Sequence, residues 1–132
     1  MKLKGDLENR AKVRQICEII NSGIQPLQNL KTRQKVGVES ALDDTAVEWS
    51  KYFIDYGFQA LEKTLFTTSG RYCVGDDFTA ADACLVPQVA NAFLYGVDMT
   101  QFPVISRIEK HAQLHHAVKK AHPENQPDYK KV

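Results

Sequence analysis

Two histidines four residues apart, His111 and His115, with His116 and His122 nearby, have the spacing closest to that of a metal site. On a helix, positions i and i+4 share a face, so two imidazoles there can supply two corners of a tetrahedral zinc site. No cysteine or second ligand pair completes the set, and the sequence is read as binding no metal. Cys17, Cys73 and Cys84 are odd in number and widely spaced, with no C-x-x-C pair. They read as reduced thiols, Cys17 and Cys84 as packing residues. No nucleophile and base stand together in a recognisable catalytic motif. Basic residues are scattered without interleaved aromatics, which argues against nucleic-acid binding.

The spacing that carries structure lies in GDDFTAADACLVP, Gly75 to Pro87, where Thr79 precedes Asp82 by three residues just before an apolar run. That is a capping box. The Thr79 oxygen can accept from the backbone N–H of Asp82, while the Asp82 carboxylate reaches back to the N–H of Thr79. The two residues are structural caps on this reading, and they start a helix running toward Tyr95 with Pro87 inside it.

The other elements are helical too. From Asp6 as N-cap, the residues Leu7, Ala11, Val13, Arg14, Ile16, Cys17, Ile19 and Ile20 recur at three- and four-residue spacing. Gly23 and Pro26 interrupt them, since proline removes a donor and disfavours the α conformation at Gln25. Leu27 to Val36 resume a helical turn or two. Asp43 or Asp44 can cap a long helix from about Thr45 to Leu65, with one face marked by Trp49, Phe53, Tyr56 and Ala60 and widened by Ile54, Phe58, Leu61 and Leu65. Gly96 suits a helix stop, Pro103 a first-turn proline, and Leu114 to Ala121 a last short helix. The tail from about residue 123 to 132 has little to bury. With no β alternation and no repeat, residues 1–132 read as a single all-α domain.

A chain of 132 residues can bury about two-thirds of its unfolded surface, enough for one core. Its formal charge of +1 names no charged partner. The opening MKLKGDLENR has no apolar stretch of the signal-peptide kind, and no run is long enough to span a bilayer, so a cytoplasmic protein without membrane contact is expected.

GDDFTAADACLVPQVANA resembles the capped central helix of the C-terminal domain of cytosolic glutathione transferases. RAKVRQI, SGIQPLQNL, GFQALE, YCVGD, LVPQVANA and AHPENQPD together resemble the zeta class, the maleylacetoacetate isomerases, over essentially the whole chain. The resemblance implies a glutathione transferase C-terminal-like helical bundle. It also implies that the N-terminal thioredoxin-like domain, which holds a Ser-Ser-Cys motif and most of the glutathione site, is lacking, so that the chain alone is expected to be inactive. Within the family, Gln25, Asn29, Leu30 and Lys31 match the stretch that approaches glutathione, and no catalytic residue falls in this half. For Gln25, an alternative is that its amide satisfies backbone freed by Pro26. Arg14 either lines the active cleft or pairs with Glu18. Phe93 and Leu94 fall in the substrate pocket, and Leu94 stands where the family has an arginine that holds a substrate carboxylate. Leucine cannot make that forked pair, which favours a less polar electrophile. A homodimer and a role in tyrosine and phenylalanine breakdown, by isomerisation or glutathione conjugation, are further implied. The alternative is a non-catalytic transferase-like interaction module.

Overall fold

The computed structural model describes residues 7–35 and 44–130. Asp6, Asp43 and most of the polar stretch after Gly37 lie outside the described residues. Among the described residues six α-helices follow one another: α1 (Leu7–Asn21), α2 (Leu30–Lys35), α3 (Asp44–Thr68), α4 (Ala80–Leu94), α5 (Pro103–Ala112) and α6 (His116–Ala121). Short 3-10 turns at Gln25–Gln28, Met99–Gln101 and Pro123–Asn125 join or extend them. Among the described residues there is no strand, only an isolated bridge between Ser69 and Gly75. The expected all-α architecture is what forms.

α4 lies along α1 and against α5, while α3 packs on α1 and α5. In α3 the buried residues Ala46, Ser50, Ile54, Phe58, Leu61 and Leu65 follow the three- and four-residue rhythm of one helical face. The face expected first, Trp49 to Ala60, is the outer one: Trp49 and Phe53 are half-buried, and Tyr56 and Ala60 are exposed. Aliphatic side chains and Phe58 take the centre because they bring no polar atom that must find a partner. Phe58 meets Phe102 edge to face, with centroids 5.5 Å apart, closing the core beneath α5.

On α1 the core takes Val13, Ile16 and Ile20, whereas Leu7, Ala11 and Arg14 are exposed, so the buried stripe is narrower than the periodicity suggests. Each such aliphatic side chain contributes about 1.5–3 kcal/mol when fully buried. The helical turns expected from Leu27 onward come in two pieces, and Val36 lies outside the described residues. The chain first makes the 3-10 turn at Gln25–Gln28, pre-set by Pro26, and only then enters α2.

The stops behave as read. Gly96 adopts φ +69, its N–H bonds to the Phe93 carbonyl at 3.1 Å, and Val97 N–H reaches the Ala92 carbonyl at 2.9 Å. These paired bonds end α4 in a Schellman motif, which needs a left-handed residue that glycine adopts without strain. Pro103 opens α5. The described part of the tail, residues 123–130, is exposed throughout.

Candidate functional site

The segment from Ile24 to Lys31 is pinned from behind. Ile24 is fully buried against Gly57, where any Cβ would run into its side chain, so that glycine permits the approach. The Leu27 carbonyl accepts from the Trp49 indole N–H at 2.8 Å, and the Pro26 carbonyl accepts from the Thr32 hydroxyl at 3.0 Å. Gln28 turns inward, where its Nε2 donates to Gln88 Oε1 of α4 at 2.7 Å. Held in this way, the turn presents Gln25, Asn29, Leu30 and Lys31 outward, all exposed.

Gln25 Nε2 donates to Asn29 Oδ1 at 2.8 Å. Its amide is therefore committed to Asn29 rather than to backbone around Pro26. The pairing leaves the Gln25 side-chain carbonyl as an acceptor and the Asn29 amide NH2 as a donor on an exposed surface.

Arg33 ties this segment to the end of α4, because its buried guanidinium lies over the Tyr95 ring, 5.5 Å from the centroid. Phe93 and Leu94, just before Tyr95, are 62% and 72% exposed. Phe93 borders an open groove of about 880 Å³ between α4 and α5, lined also by Met99, Pro103, Leu114, Arg107 and Lys110. Leu94 is not on its wall.

Arg14 sits exposed on α1, and no ion pair forms between it and Glu18. Glu18 accepts instead from the Ser22 hydroxyl.

The cap at the start of α4 is larger than its sequence signature. Asp82, fully buried, accepts from Thr79 N–H at 2.8 Å and from the Thr79 hydroxyl at 3.0 Å through Oδ2. Its Oδ1 accepts from Cys73 N–H at 2.8 Å, fastening the preceding loop to the helix. The Thr79 side chain faces the Asp82 N–H in the reciprocal arrangement but makes no cap hydrogen bond there; its hydroxyl donates to the carboxylate.

Among the described residues no group of three His, Cys, Asp or Glu side chains is placed to hold a metal. His115 stacks on Phe78 at 4.2 Å and accepts the Ala117 N–H on Nδ1, while His122 accepts the Glu124 N–H in the same way. These histidines cap short helical turns. Burial is the main cause that pushes the Cys17 thiol up to about 12 and raises Cys73 well above the usual thiol range. Hydrogen bonds from Thr100 hold the Asp98 carboxyl below its ordinary value. No helix among the described residues is long and apolar enough to cross a membrane.

Sequence reasoning missed Gln28, Gln88, Arg33 and Glu62. Of these, the two glutamines and Glu62 sat inside the motifs singled out, and Arg33 did not.

This bundle, a buried capped helix with the others wrapped around it, is that of a glutathione transferase C-terminal domain. No family model matches the chain. Individual relatives do. A probable maleylacetoacetate isomerase 2 of Drosophila melanogaster is 50% identical over 126 residues, covering 96% of this chain and 53% of the relative. The maleylacetoacetate isomerase of Mus musculus is 47% identical, covering 96% and 56%. The solved maleylacetoacetate isomerase of Anaeromyxobacter dehalogenans 2CP-1, with bound dicarboxyethyl glutathione and citrate in its active site, superposes with a TM-score of 0.88 at 36% identity, covering 96% of this chain and 58% of that one. The chain spans about half the length of the curated relatives it matches. It belongs to the zeta-class glutathione transferase and maleylacetoacetate isomerase family and corresponds to the helical C-terminal part.

Proposed function

We propose that the chain is the substrate-pocket and dimer-forming half of a cytoplasmic, glutathione-dependent enzyme that isomerises cis-unsaturated keto acids in tyrosine and phenylalanine breakdown, or conjugates related electrophiles. The observation that carries this reading is identity of up to 50% to maleylacetoacetate isomerases along 96% of the chain. The exposed Gln25 and Asn29 amides suit the peptide groups of glutathione, and Lys31 suits one of its carboxylates. Phe93 and Leu94, exposed at the neighbouring end of α4, would meet the electrophile. Activation of the thiol would fall to a thioredoxin-like domain. On the outer face of α3, Tyr52 and Tyr56 are stacked at 6.3 Å and 63% and 67% exposed, which supports a second copy as the partner.

The test is a chimera in which this chain follows the thioredoxin-like domain of the Anaeromyxobacter relative. Glutathione-dependent turnover of maleylacetoacetate or an apolar electrophile, lost on Gln25→Ala with Asn29→Ala, is expected. A folded chimera that binds glutathione but turns over neither substrate overturns the reading, as does saturable turnover by the 132-residue polypeptide alone.

A further inference from the structure

Cys17 of α1 and Cys84 of α4 face each other across the helix pair, with their Sγ atoms 3.9 Å apart. Both residues are half-buried and carry free thiols, and each sulfur has the other in van der Waals contact. We infer that Cys17 and Cys84 form an oxidation site, in which a hydroperoxide converts the two thiols into a disulfide that ties α1 to α4. A disulfide needs its sulfurs about 2 Å apart, so forming one closes the observed contact by about 2 Å. The third cysteine is not equivalent. Cys73 is fully buried, and its backbone N–H is held by Asp82.

The surroundings assign the two roles. Asn21 Nδ2 donates to Cys84 Sγ at 3.3 Å, a contact that stabilises negative charge on that sulfur. Cys84 therefore attacks first: its thiolate sulfur bonds to one peroxide oxygen, the O–O bond breaks, and the departing hydroxide takes a proton to become water. Cys84 is left as a sulfenic acid. Cys17 Sγ then attacks that sulfur; the S–S bond forms, the S–O bond breaks, and the leaving hydroxide takes the Cys17 proton as a second water. Two thiols have lost two electrons and the peroxide has gained them. Burial, and then the charge of Cys84, keep the Cys17 proton in place up to about 12, so little of Cys17 is thiolate near neutrality and its attack, with loss of that proton to the leaving hydroxide, is the slower of the two steps.

The full chain is treated with hydrogen peroxide, alkylated in denaturant and mapped by mass spectrometry of its peptides. The expected result is a Cys17–Cys84 linked peptide within single chains, Cys73 as the remaining alkylated thiol, and recovery of all three thiols with dithiothreitol. Cys73→Ser is expected to give the same link, and Cys17→Ser to leave a Cys84 sulfenic acid that dimedone captures. Three alkylatable thiols after peroxide overturn the inference. So does a link through Cys73, or one found only between copies. Mapping the unsubstituted chain decides the matter even if a variant fails to fold.

Discussion

Gln28 and Gln88, sixty residues apart in the chain, meet in the interior through a single hydrogen bond of 2.7 Å from Gln28 Nε2 to Gln88 Oε1. Both are nearly inaccessible, and the other amide atom of each, Gln28 Oε1 and Gln88 Nε2, has no partner. The bond joins the Gln25–Gln28 turn to α4, so the position of Gln25 and Asn29 depends on it.

Gln28→Ala strands the Gln88 amide, and the loss is expected to be about 1–3 kcal/mol. Removing both glutamines should cost less than the sum of the single changes, because the second substitution deletes a group already unpaired. Urea unfolding of the four proteins in the cycle measures this; strict additivity would mean that the bond contributes nothing.

Asp82→Ala removes the acceptor of three hydrogen bonds at a fully buried position. A loss of about 3 kcal/mol is expected, above the 1 kcal/mol or so of an ordinary exposed cap. Because the Cys73 N–H is freed as well, amide exchange there should quicken along with that of Thr79. Protection retained at Cys73 would show that the loop is held by something else.

Glu62 on α3 caps a helix to which it does not belong: its carboxylate accepts from Val104 N–H at 2.7 Å and Ile105 N–H at 3.0 Å in the first turn of α5. Glu62→Ala is expected to cost about 1–3 kcal/mol, since two helix-end donors lose a charged acceptor. Glu62→Gln should recover part of it. Thermal unfolding of both variants separates the charge from the hydrogen bonds, and equal losses would assign the whole effect to charge.

In the two-domain form, Leu94→Arg is expected to raise kcat/KM for an acidic substrate over a neutral one by about 10- to 100-fold, the worth of a forked charge-assisted pair. Leu94 is exposed and lies off the groove that Phe93 borders, which leaves it clear to point toward an added domain. An unchanged ratio would mean that Leu94 does not face the substrate.

Because the Cys17 thiol is pushed up to about 12, its reactive thiolate is scarce near neutrality and grows with pH. Alkylation of Cys17 by iodoacetamide in the folded protein is expected to accelerate about tenfold per pH unit from 7 toward 10. Cys73, raised further and fully buried, should react last. A plateau for Cys17 below pH 9 would contradict the raised value.

What could be read from the sequence was local in origin. The Thr79–Asp82 cap, the Gly96 stop and the Pro103 start each depend on one turn of backbone, where sterics and hydrogen-bond geometry are set by residues within a few positions. Helical periodicity likewise gave the elements and their order. The family motifs placed Gln25, Asn29, Phe93 and Leu94, but not what supports them.

Tertiary structure alone decided which of two apolar stripes on α3 became the core, since Trp49 to Ala60 and Ile54 to Leu65 have the same period and only packing against α1 and α5 distinguishes them. It also decided the pairings of Gln28 with Gln88, Glu62 with the start of α5, Asp82 with Cys73, and Cys17 with Cys84. Each joins groups brought within a few ångströms by helix packing, and a hydrogen bond acts only over that range. Spacing along the chain carries no record of such distances, so these contacts come into being only when the helices dock.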